Sequence, residues 1–238
     1  MRQSFGAPSI DWPYKFRAKL KMTKYEPLKR FYEAVPPEKG TPISEVEFLA
    51  MDFETTGLNT DKDEIITIGL VPFSLNRIYL NRARHWTVRP RQKLQDDSVI
   101  IHGITHNDIM DAPDLNEIIN DVLEAMQGKI MVVHFRKIER IMLDKALKRR
   151  IKEGIEFPLI DTMEIENQIQ RQVSGGFLNR LLGRRPASVR LGQSRLRYNL
   201  PPYTAHHALT DAIATAELFQ AQMAHHFTPD DPIHNFWL

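Results

Sequence analysis

Phe48-Leu49-Ala50-Met51-Asp52-Phe53-Glu54-Thr55-Thr56-Gly57-Leu58 decides how the rest of the chain is read. An apolar run over residues 46–51 delivers two acids one residue apart, and Gly57 follows where the chain can turn. In a β-strand, residues i and i+2 share a face, so Asp52 and Glu54 project side by side. Two carboxylates so placed on a buried strand repel each other unless a cation sits between them. Hard oxygen donors of this kind suit Mg²⁺ or Mn²⁺. A bare Asp-x-Glu is more often a strand running out into an acidic loop, so the test lies in what the remaining chain supplies.

From residue 46 the hydrophobic pattern is that of an α/β protein. Residues 46–53 read as a first strand, and 64–73, rich in β-branched residues, as a second. A looser third spans 78–88 and ends at Arg89-Pro90. The short loops between them favour antiparallel pairing, because parallel neighbours need a long crossover. Helical spacing then predicts a helix over 115–126, a strand over 129–134 and a helix over 138–147. A brief strand over 158–160 follows, with Asp161 placed to cap a helix over 163–172. Residues 174–203 hold Gly-rich breaks and Arg180, Arg184, Arg185, Arg190, Arg195 and Arg197, charges suited to meeting phosphates or, equally, to solubilising a disordered loop. A long helix over 206–225 closes the pattern, with Ala208, Leu209, Ala212, Ile213, Ala216 and Phe219 turned inward. There is no internal repeat.

Two further stretches carry chemistry. Val132-Val133-His134-Phe135-Arg136-Lys137-Ile138-Glu139 puts an acid into the helix after the fourth strand. Tyr203-Thr204-Ala205-His206-His207-Ala208-Leu209-Thr210-Asp211-Ala212 puts a histidine five residues before an acid one turn into the last helix. With the opening stretch, these resemble the motifs of the DnaQ-like (DEDDh) 3′–5′ exonucleases. Residues 52–58 match D-x-E-T-T-G-L, 132–139 are similar to V-x-H-N-x-x-F-D, and 206–212 resemble H-x-A-L-x-D-A. The second motif departs twice: Phe135 stands where Asn is usual, and Glu139 replaces Asp. His207 falls on a variable position of the third motif and is read as structural. Val99-Ile100-Ile101-His102-Gly103-Ile104-Thr105 is similar to the family's V-H-G-I-T loop. The resemblance spans residues 46 to about 225.

That resemblance implies a ribonuclease H-like fold: α/β, with a mixed five-stranded sheet flanked by helices. It implies two divalent cations, Mg²⁺ or Mn²⁺, with Asp52 between them. Glu54 and Asp211 would complete the site of the ion carrying the attacking water, and Glu139 would support the second through water. His206 would take the proton of the nucleophile, a task suited to an imidazole side chain. Thr55 and Leu58 would meet the 3′-terminal sugar and base, and His102 would line the pocket of the terminal nucleotide. The products would be nucleoside 5′-monophosphates. The implied partner is a nucleic acid with a free 3′ end, DNA ahead of RNA, although sugar choice depends on pocket shape. A nucleic-acid-binding scaffold with weakened catalysis is the alternative from another class, supported only by Phe135 and Glu139.

Composition sets the remaining bounds. The chain has 238 residues, 42% hydrophobic and 26% charged, with net charge +2, which suits one sizeable α/β domain plus an extension. It has no cysteine, which excludes disulfides, thiolate zinc sites and cysteine nucleophiles. No apolar run reaches membrane-spanning length and no signal-peptide core opens the chain, so a cytoplasmic location is the default expectation. Residues 1–45 form a basic, aromatic-rich extension with a short helix expected over 26–35 and a Pro-rich linker behind it. The extension reads either as an arm for nucleic acid or a protein partner, or, preferred, as a helical segment packed on the core with a solvated basic face. Residues 46–228 would be the exonuclease domain and 229–238 a tail.

Overall fold

The computed structural model describes residues 10–91, 109–174 and 187–238. Asp11 caps α1 (Trp12–Met22), its carboxylate accepting from the Tyr14 amide at 2.9 Å. The next helix, α2 (Glu26–Glu33), has no cap of its own. Glu153 supplies one from far along the chain, accepting from the Lys24 and Tyr25 amides. Sequence periodicity found α2 and missed α1, because α1 buries only Trp12, Pro13 and Phe16 amid lysines. Trp12, Phe16, Phe31 and Tyr32 pack edge to face and join the same core as the strands. Lys15 and Lys19 both pair with Glu156, and Arg17 with Glu38, so much of the basic face is tied down.

A mixed sheet follows, with six strands among the described residues. Its strands are β1 (Phe48–Thr55), β2 (Ile65–Ser74), β3 (Arg77–Ile78), β4 (Arg84–Thr87), β5 (Ile130–Val133) and β6 (Leu159–Asp161). β2 pairs antiparallel with β1, β3 and β4, while β5 and β6 extend the other side of β1 in parallel. Six strands replace the expected five because the third is cut by a 3₁₀ turn, Leu80–Arg82, into β3 and β4. β1 is therefore central, and seven of its eight residues are buried, the exception being Asp52.

Helices cover both faces. A capping box of Asp114 and Glu117 starts α3 (Leu115–Met126). α4 (Glu139–Ile151), α5 (Thr162–Ser174), a short α6 (Leu191–Arg197) and the long α7 (Ala208–His226) follow. α6 was not expected; seven residues with little apolar content leave no period to read. Phe219 of α7 packs against Phe48 and Phe73, with ring centroids 5.1 and 5.9 Å away, and so binds α7 to β1 and β2. Residues beyond α7 return to the core, where Ile233, Phe236 and Trp237 are buried and Ile233 bonds back to Thr41. Among the described residues, no helix is long and apolar enough to cross a membrane.

Candidate active site

Asp52 and Glu54 lie on one face of β1, opposite Gly69 and Thr67 of β2 in register. Gly69 has no side chain, and the start of α7 occupies the space a Cβ would fill. That close approach delivers Asp211, one turn into α7, to the same face. One carboxylate oxygen from each of Asp52, Glu54 and Asp211 comes within 4.8 Å of the others. Burial raises the pKa of Asp52 well above the ordinary carboxylate range, and the charges of Glu139, Asp211 and Glu54 raise it further. A cation at this point would relieve both effects.

Glu139 arrives from the parallel side of β1. After β5 the chain turns through Phe135, whose φ is 88°. Asp161, at the end of β6, holds this turn by accepting from the Phe135 and Arg136 amides, both at 3.0 Å. The same carboxylate accepts from Met163 and caps α5, as its position in the sequence suggested. Glu139 opens α4 and is 3% exposed, and its Oε2 has no hydrogen-bond partner. Burial, then the nearby Asp161, raises its pKa well above normal. Glu139 is thus a buried acid beside Asp52, not a solvated helix residue. Phe135 is 38% exposed in the same turn.

His134 does not reach the carboxylates. Its ring is held between the Thr162 hydroxyl (2.8 Å) and the Val189 carbonyl (3.0 Å), a strut joining β5, α5 and the segment before α6. Burial pushes its pKa down to about 4, with Asp161 and Glu166 acting in the other direction.

Asp211 organises the segment before α7. Its Oδ2 accepts from the backbone amides of His206 (2.8 Å) and His207 (3.0 Å), and its Oδ1 from the Tyr203 hydroxyl (2.7 Å). His206 is held at φ 71° and its side chain is exposed. His207 is the N-cap of α7, accepting from the Thr210 amide, and its ring stacks on His85 at 4.7 Å. The paired histidines of the sequence therefore have separate environments. Both are exposed, but His207 is tied to the scaffold through the cap of α7 and the ring of His85.

Thr55 and Leu58 diverge. The Thr55 hydroxyl donates to the Gly57 carbonyl at 2.8 Å and shapes the turn, while Leu58 is 78% exposed just beyond it. His102 lies outside the described residues, as do Arg180, Arg184 and Arg185. Arg195, expected to face phosphates, is turned inward, and Arg197, though exposed, is tied to a neighbouring acid. Arg195 is 2% exposed and bonds the Ala214 and Pro201 carbonyls, and Arg197 pairs with buried Glu166 at 2.8 Å. Tyr203 had no assigned role in the sequence; no spacing rule connects it to Asp211.

The sequence matches the exonuclease family (RNase T) over residues 49–219. It is 31% identical to DNA polymerase III subunit epsilon of Treponema pallidum (strain Nichols), over 76% of this chain and 78% of that one. It is 27% identical to a PolC-type DNA polymerase III of Thermotoga petrophila over 72% of this chain, although the match covers only 11% of that much longer relative. Among solved structures, exonuclease X in complex with 5′-overhanging duplex DNA superposes with a TM-score of 0.57 at 20% identity, covering 79% of this chain and 98% of that one. The nuclease domain of 3′hExo, a DEDDh family member bound to rAMP, gives 0.57 at 16% identity, covering 75% and 91%. These superpositions establish the ribonuclease H-like fold.

Proposed function

The chain belongs to the DnaQ-like (DEDDh) 3′–5′ exonuclease family, and on that premise we propose that its carboxylate cleft removes nucleotides from the 3′ end of a DNA strand with the help of two divalent cations. The observation carrying this reading is the convergence of Asp52, Glu54 and Asp211 within 4.8 Å, beside a buried Glu139 oxygen without a partner. The donor set fits Mg²⁺ or Mn²⁺: it is all carboxylate oxygen, desolvated and mutually repelling. Asp52 would serve both ions, Glu54 and Asp211 one of them, and Glu139 the other. When bound, such ions supply charge on the scissile phosphate and a more acidic attacking water.

The chain's own groups divide the remaining work. His206, exposed at the mouth of the cleft, would accept the proton of the attacking water. The Asp211 carboxylate both faces the cleft and grips the His206 amide, so ligand and base are held by one side chain. Leu58, standing free of the turn after β1, would meet the terminal base, with Thr55 shaping the loop that carries it. DNA is placed ahead of RNA because the relatives are named as DNA polymerase subunits; the neighbour holding rAMP keeps RNA as the competing substrate. Exposed Tyr14 and Met22 on α1 are the apolar surface a protein partner would meet on the extension.

Digestion of 5′-labelled single- and double-stranded DNA and RNA tests the reading. Labelled DNA is expected to shorten stepwise from its 3′ end with Mg²⁺ or Mn²⁺, releasing 5′-monophosphates, and to stay intact in chelator. Full activity in excess chelator, internal cuts, or immediate release of the 5′ label would overturn it. Preferential shortening of RNA would transfer the same chemistry to an RNA-trimming role.

A further inference from the structure

We propose that Tyr203 is a positioning residue for the cation site, fixing which atom of Asp211 a metal ion meets; this rests on the two-cation reading above. An ionised carboxylate offers two oxygens with about four lone-pair sites in all. Both sites on Asp211 Oδ2 are taken by the amides of His206 and His207. The Tyr203 hydroxyl takes one site on Oδ1, at 2.7 Å. One lone pair of Oδ1 is left to face the cleft it shares with Asp52 and Glu54. Asp211 is 8% exposed, so water has little room to supply a different arrangement.

Tyr203 is itself fixed from behind. The guanidinium of Arg195 lies 5.0 Å over its ring, at a distance typical of cation–π contact. That guanidinium is buried and bound on three sides: to the Ala214 carbonyl (2.8 Å), the Glu217 carboxylate (2.7 Å) and the Pro201 carbonyl (3.1 Å). Arg195 therefore connects α6, the body of α7 and the start of the segment that carries His206. Through Tyr203 this rigid anchor ends on the carboxylate facing the cleft. Hydrogen-bond partners that orient a ligand in this way are typically worth about 10–100-fold in metal affinity or activity.

The test is direct Mn²⁺ binding to the protein without nucleic acid, followed by the electron paramagnetic resonance of free Mn²⁺. Tyr203→Phe keeps the ring and its stack on Arg195 and loses only the hydroxyl. It is expected to bind Mn²⁺ about 10–100-fold more weakly, while unfolding cooperatively in chelator with a loss of stability similar to that of Tyr198→Phe. Tyr198→Phe is the control, since it also loses a hydroxyl bonded to a carboxylate, that of Glu166 at 3.1 Å. It is expected to bind as the unaltered protein does. Unchanged or tighter binding by Tyr203→Phe, or equal weakening in Tyr198→Phe, would overturn the assignment to Tyr203. Failure of the unaltered protein to bind Mn²⁺ would instead remove the two-cation premise.

Discussion

Gly69 lies so close to Ala208 that a methyl group on Gly69 would overlap the Ala208 carbonyl and the Leu209 amide nitrogen. Gly69 is also the residue opposite Asp52 in the β1–β2 register. The absence of one side chain thus lets the start of α7 rest on the sheet and bring Asp211 to Asp52. Gly69→Ala is expected to push α7 outward, costing about 1–3 kcal/mol as overpacked cores usually do and lowering the exonuclease rate with it. Denaturant titration and a rate assay check this; a variant normal in both would show that the contact can relax.

Phe135 occupies a backbone conformation that L residues with bulky side chains rarely adopt. Its ring is more than a third exposed, so little burial offsets the strain. Phe135→Asn is expected to stabilise the protein by roughly 0.5–1 kcal/mol, since Asn tolerates positive φ. Chemical denaturation measures it, and a clear loss of stability would mean that ring packing outweighs the strain.

The neighbouring histidines should separate cleanly. His206→Asn suits the positive φ and keeps the amide bonded to Asp211. It is expected to lower the rate by about 10²–10⁴-fold, the usual worth of a general base, while Mn²⁺ binding persists. His207→Ala should retain most activity and lose about 1 kcal/mol of stability with the cap of α7. The reverse pattern in rates would move the base to His207.

Glu139 should trade stability against activity. In chelator, its buried carboxylate has no partner for Oε2 and sits among other acids. Glu139→Gln is expected to raise the unfolding midpoint in chelator and to lower the rate in Mg²⁺ by a large factor. Glu139→Asp keeps the charge and should remain active. Equal rates for Gln and the unaltered protein across a Mg²⁺ titration would take Glu139 out of the site.

His134, whose ring bonds Thr162 and Val189, gives a pH dependence of its own. Its pKa falls from 6.5 to about 4 on folding, so between those values the unfolded chain binds more protons. Stability is therefore complete above about pH 6.5 and is lost as pH falls toward 4. At 1.36 kcal/mol per unit, the full effect approaches roughly 3 kcal/mol. That figure already contains the opposing charges of Asp161 and Glu166, which face the ring. Denaturation between pH 4.5 and 7.5 should show this slope in the unaltered protein and a weaker one in His134→Gln; equal slopes would place the proton uptake elsewhere.

Local rules made much of this molecule legible. Asp52 and Glu54 had to share a face because strand side chains alternate, whatever packs around them. Asp161 could be read as a cap from its place before α5, and α3 came out with its observed bounds from its apolar period alone. The breaks were harder. α1 and α6 bury too few residues to show a period, and one 3₁₀ turn divided the expected third strand.

The sequence by itself determined the order of the long strands and helices from residue 46 onward, the acids and the histidine available, and the absence of cysteine, because these depend on residue identity and on periods of two or 3.6. The tertiary structure decided which groups meet. Glu139 could have been a solvated helix acid, and only the packing of α4 beside β1 buries its carboxylate near Asp52. Arg195 and Arg197 looked like phosphate contacts, yet carbonyls hold Arg195 inside and buried Glu166 pairs with the exposed Arg197. The difference between His206 and His207, and the bond from Tyr203 to Asp211, follow from where one segment crosses the end of α7. Such contacts join residues that no local period relates, so they are fixed only once the chain has closed on itself.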